Sequence, residues 1–342
     1  MEHEPGLIAP GVPLTPSPSP SDPLGRYRGL QVISILLAVG GIGLVLAAVV
    51  LGEANAGASR DRALLVAALA AGGALAAVIG LLMNAVRAIV VREALPVTRY
   101  RGPAVFVLLA IATVLSTIGS LTIGGEVLAL ANGQDMSIGA ALVLLTVTQA
   151  GLLAAAIMFV AVPNALPGIR LVPSHGGLRS FAIGLVLAIP AWIVATMIGV
   201  LLQVLLELLG HPVQPGIVDN AVARLDPTVL VLAIVLVAPV AEEIFFRGVV
   251  LNAWLREYGE RTAILGSAAL FAAIHSDISG TEALLTSIAR VLPIFGLGLA
   301  LGIVYRRTGS LLAAIGLHMG FNAISIALAL AARLDLLPPI GP

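Results

Sequence analysis

Three short stretches of this chain carry side chains that could do chemistry together. In "AEEIFFRG", residues 241–248, Glu242 and Glu243 are adjacent and Arg247 follows Glu243 by four. In "LFAAIHSD", residues 270–277, Phe271 precedes His275 by four. In "GLHMGFNAI", residues 316–324, His318 precedes Asn322 by four. A spacing of four puts each pair on one helix face, with Glu242 about 100° round from Glu243. A carboxylate and an imidazole can together hold and deprotonate a water. A second His and an Asn are donors suited to a developing oxyanion. An Arg beside one carboxylate keeps it ionised in apolar surroundings. That set suffices for peptide-bond hydrolysis without Ser or Cys. The same residues read alternatively as metal ligands, with Glu242, His275 and His318 around Zn²⁺ and water in the fourth position. The H-E-x-x-H signature is missing, so the sequence does not force a metal.

These residues stand where charge is costly. Of 342 residues, 59% are hydrophobic and 11% charged, with a mean hydropathy of +1.08. A soluble domain is closer to one quarter charged. The composition is that of an all-α polytopic membrane protein. Net charge is zero, which leaves no broad basic footprint for nucleic acid. All 18 basic residues are Arg, and cysteine is absent, which removes disulfides and thiolate chemistry together. The Ala-, Gly-, Leu- and Val-rich usage suggests a bacterial source, and hence the inner or plasma membrane.

A spanning helix needs about 20 apolar residues. Such runs fall near 30–52, 63–86, 103–125, 138–163, 181–206 and 227–254, with shorter or broken ones near 263–279, 288–305 and 311–332. About 8–9 transmembrane helices are expected. Residues 1–27 are Pro/Ser-rich and lack the pattern of a signal peptide, so they read as a disordered cytoplasmic tail. Residues 28–226 form N-terminal transmembrane helices of unknown role, 227–333 a catalytic core and 334–342 a short C-terminal tail. Arg is concentrated in alternate loops, among them Arg87 to Arg101, Arg256 with Arg261, and Arg306 with Arg307. That alternation puts the N-terminus in the cytoplasm. Counting from the Arg-rich ends at ~1.5 Å per residue, Glu242, His275 and Asn322 come out at overlapping depths.

The motifs "EEIFFRG", "FAAIH" and "HMGFN" resemble the E-E-x-x-x-R, F-x-x-x-H and H-x-x-x-N motifs of the CAAX prenyl protease and bacteriocin-processing family, the type II CAAX endopeptidase-like proteins. The resemblance covers roughly residues 227–330. It implies an intramembrane endopeptidase acting on a peptide or protein in or at the bilayer. By the resemblance, Glu242 is the general base acting on water with His275. His318 and Asn322 form the oxyanion site, and Glu243 and Arg247 support geometry and charge. The family is commonly labelled a metalloprotease, and a metal-free mechanism has also been proposed for it. The Asn, easier to explain as a donor than as a ligand, favours the metal-free version. Asp277 is an extra acid beyond the motif.

Blander roles compete. Glu242, Glu243 and Arg247 could be a structural ion pair, but two acids for one base leave a net negative charge that locking two helices does not need. His275, His318 and Asn322 could each be interhelical hydrogen-bond partners. Phe271, Gly296, Gly298 and Gly302 read as packing. Two other functions use the same charges: a proton- or ion-coupled transporter with a Glu/His relay, and a non-catalytic scaffold or immunity protein. The near absence of ionisable residues from the first five expected spans argues against the transporter.

Overall fold

The structure is a computed structural model that describes residues 28–54, 60–94, 105, 176–213, 222–223, 225–276 and 281–336. Every described element is helical. In chain order they are α1 (Arg28–Ala54), α2 (Arg60–Ala94), α3 (Gly177–Leu208), α4 (Pro227–Tyr258), α5 (Glu260–Ala273), α6 (Thr281–Thr308) and α7 (Leu311–Arg333). All but α5 are long and apolar enough to cross a membrane. The apolar runs at 103–125 and 138–163, the tail 1–27 and Asp277 lie outside the described residues. The run expected to span at 263–279 is corrected. α5 is 14 residues long, about 21 Å at 1.5 Å per residue, short of the ~30 Å hydrocarbon core. It ends in a turn at Ile274–His275, so His275 sits at a helix terminus rather than within a span.

Small residues let the helices approach closely. In the α1–α2 hairpin, Gly41 faces Ala77 and Gly73, and Gly80 faces Ser34 and Ala38. α3 lies against α7 through Gly184 on Ala313, Gly316 on Phe181 and Gly320 on Ala188. Phe181 with Gly316, Ala188 with Gly320 and Trp192 with Ser325 rise together in number, so α3 and α7 run parallel. Dispersion between closely approaching backbones replaces the hydrophobic drive that lipid cannot supply. Two connections are minimal. Gly259 alone joins α4 to α5, at φ 85, and Gly309 begins the two-residue link from α6 to α7, at φ 63. Both dihedrals lie where a side chain is strained.

α4 and α7 are the most enclosed helices, while the apolar faces of α1, α2 and α3 are largely exposed, as befits lipid contact. α4 opens on Asp226, whose carboxylate accepts the Thr228 N–H at 2.8 Å. That bond holds its carboxyl below the usual range. The helix is irregular beyond this cap. It widens to a π-helix over Val231–Val237, tightens to one α turn over Ala238–Glu243, and widens again over Ile244–Leu251. Pro239 accounts for the first widening, because its ring crowds the preceding turn and it offers no N–H.

Candidate active site

The short α turn between the two π segments carries Glu242 and Glu243, and the second π segment carries Arg247. The residues around them, Phe245, Phe246 and Val249 to Leu251, are all buried. Glu243 and Arg247 are fully enclosed, His318 is 3% exposed and Glu242 8%. Glu243 Oε1 accepts from Arg247 Nη1 at 2.9 Å and meets His318 Nδ1 at 2.9 Å. An acceptor shared by a guanidinium and an imidazole assigns the ring hydrogen to Nδ1. His318 Nε2 then presents its lone pair 3.8 Å from Glu242 Oε2. The second guanidinium nitrogen, Arg247 Nη2, donates to the Gly298 carbonyl at 3.0 Å. Gly298 eases this approach, since a Cβ there would stand 3.0 Å from the Ala268 Cα and α5 would have to give by a few tenths of an ångström. Four helices thus converge: α4 supplies the acids and the base, α7 the imidazole, α6 a carbonyl and α5 the wall.

Phe271 is more than packing. Its ring lies 4.7 Å from Arg247 Cζ, and its centroid is 5.6 Å from His318 and 4.9 Å from His275. The Arg face gains from the ring quadrupole, and one phenyl touches both imidazoles. His275 is exposed, and its Nδ1 bonds the Phe271 carbonyl at 2.7 Å. Its Nε2 is therefore the nitrogen left for other partners.

Asn322 is placed differently from the sequence expectation. Its Nδ2 donates to the Ile234 carbonyl at 2.8 Å, eight residues before Glu242. The reason lies in α4. The Ala238 N–H bonds back to Ala233 O, the π pattern. The next donor in that pattern, for Ile234 O, would be residue 239, and Pro239 has none. Asn322 supplies the missing hydrogen. His318, and not Asn322, is level with the glutamates. Asn252 and Tyr305 have no counterpart in the sequence reading. Asn252 Nδ2 donates to Arg247 O at 2.8 Å and Gly248 O at 3.0 Å, and lies 2.7 Å from Tyr305 Oη, tying down the second π segment. Only their polarity inside apolar runs marks them in the sequence.

Glu242, His275 and His318 do not form a metal shell. Among the described residues no three His, Asp or Glu side chains are placed to hold an ion. His318 has one nitrogen committed to Glu243, and His275 has one committed to Phe271.

Fold and site together define a class, a bundle of membrane-length helices with a charged cluster at its centre. Within that class, residues 224–324 match the family described as type II CAAX prenyl endopeptidase Rce1-like. The family that the three motifs resemble is the family this segment matches. No curated protein and no solved structure matches the chain.

Proposed function

We propose that this protein is an intramembrane endopeptidase that hydrolyses a peptide bond of a membrane-associated peptide or protein, with Glu242 as general base. One observation carries the proposal: the 3.8 Å separation of Glu242 Oε2 and His318 Nε2. One water at ~2.8 Å from both atoms can donate a hydrogen to each. Its lone pairs then point away from the two acceptors, towards a carbonyl carbon. Attack transfers a proton to Glu242, which returns it to the leaving amine. The Glu243 carboxylate orients His318 through Nδ1, and Arg247 holds Glu243 from the other side. Glu243 and Arg247 are thus positioning residues. His275, exposed beside Phe271 with its Nδ1–H on the Phe271 carbonyl, can donate from Nε2 to the oxyanion in its doubly protonated form. Asn322 positions α4 through Ile234. The roles of His275 and His318 are thereby exchanged relative to those implied by the resemblance. The site faces a bilayer substrate in a bacterial inner or plasma membrane.

The test compares new protein N-termini in membranes containing the wild-type chain or Glu242→Gln. New termini present only with the wild type support the proposal. Identical termini in both overturn it.

A further inference from the structure

Away from the glutamates, α6 carries a second continuous face. Pro293, Gly296, Ala300 and Ile303 follow one another at spacings of three and four, and Arg307 continues the stripe. The apolar part lines a cavity of about 390 Å³ shared with α3, where Pro190, Val194 and Ile198 stand opposite. The lining is wholly apolar. Ile303 also lines a second cavity, of about 680 Å³, at the end of the bundle where α4 meets α5 and α6 ends. This one is bordered by Arg261, Arg306 and Arg307, with Glu260 the single acid. Glu260 is taken by Arg306 at 3.0 Å. Arg261 and Arg307 are exposed, and among the described residues neither is in an ion pair.

We infer that the two cavities form one site for an anionic phospholipid, lying along α6 with its phosphate between Arg261 and Arg307 and an acyl chain in the α3–α6 groove. Three features fit that occupant. The polar end carries two guanidiniums in excess, and the guanidinium fork matches phosphate. The groove holds no polar side chain for anything but a hydrocarbon. The stripe from Pro293 to Ile303 runs ~15 Å at 1.5 Å per residue, half of the ~30 Å hydrocarbon core and so the depth of one leaflet. A free phosphate would use the arginines and leave the groove idle. The site is independent of the hydrolytic reading, although its inner wall, Leu297 and Leu317, adjoins Gly298 and His318.

The experiment takes the full chain from vesicles of equal phosphatidylglycerol and phosphatidylcholine and measures retained lipid by native mass spectrometry. The wild type is expected to retain phosphatidylglycerol about tenfold over phosphatidylcholine. Arg261→Gln/Arg307→Gln is expected to lose that preference, and Arg307→Lys to keep part of it. Ala300→Trp, which fills the groove, is expected to lose retained lipid of both kinds. Equal retention by the wild type, or an unchanged preference in the double Gln variant, overturns the proposal. So does an inorganic-phosphate stabilisation that matches phosphatidylglycerol and persists in Ala300→Trp, which would mean an anion site without a lipid.

Discussion

His318 bonds the same carboxylate oxygen of Glu243 that Arg247 bonds, each at 2.9 Å and all three enclosed. α4 and α7 are joined at that atom. Arg247→Ala leaves a buried carboxylate with one donor, and such losses cost about 3–5 kcal/mol. Unfolding of the reconstituted chain in a denaturing detergent series should show a loss of that size, together with lost cleavage. A variant as stable as the wild type would mean that Arg247 does not hold Glu243 in place.

The two histidines separate by burial. His275→Ala should change stability by no more than about 0.5 kcal/mol, as exposed substitutions do, while lowering cleavage. His318→Ala should lower both, by about 1–3 kcal/mol for the interaction that Glu243 loses. Thermal unfolding and a cleavage assay on the same preparations check this. Equal destabilisation by both would contradict the placement.

Much of the site is legible in the sequence, for reasons specific to each residue. Charges inside an apolar run announce themselves, so Glu242, Glu243, Arg247, His275 and His318 stand out from residue type and position alone. Period-based depth counting assumes a regular α-helix, and α4 is not one. Pro239 and the π segments shift what Asn322 can reach, so Asn322 comes to Ile234 and His318 to the glutamates. The hydropathy run at 263–279 does not show that the helix stops at Ala273. Gly298 contributes a backbone carbonyl, for which no side-chain signal exists.

The Pro239–Asn322 link is testable as a cycle. Asn322→Ala should cost about 1–3 kcal/mol, because the Ile234 carbonyl loses its donor. In a Pro239→Ala background, residue 239 can donate instead, and the same substitution should cost less, with a coupling of about 0.5–3 kcal/mol. Strictly additive unfolding energies would contradict the link.

Helix approach offers a contrast of two glycines. A Cβ at Gly184 would strike the Ala313 carbonyl of α7, whereas one at Gly296 meets nothing within 4 Å. Gly184→Ala should destabilise by about 1–3 kcal/mol. Gly296→Ala should be neutral or stabilising by up to about 1 kcal/mol. Melting temperatures of the two variants decide it, and the reverse order would contradict the α3–α7 packing.

Glu242 has no part in the Glu243–Arg247 pair, and its variant separates chemistry from folding. Glu242→Gln removes one of two carboxylates near a single guanidinium, so stability should be unchanged or raised. Loss of a general base should slow cleavage by about 10²–10⁴-fold. The most direct measurement runs the reconstituted wild type and Glu242→Gln on a cleaved membrane peptide in ¹⁸O-labelled water. Mass spectrometry then reads the new C-terminal carboxylate. One ¹⁸O per cleavage by the wild type, with a fall of at least about a hundredfold in a folded Glu242→Gln, is the expected result. Undiminished cleavage by Glu242→Gln, or products without solvent oxygen, would contradict a water activated by Glu242.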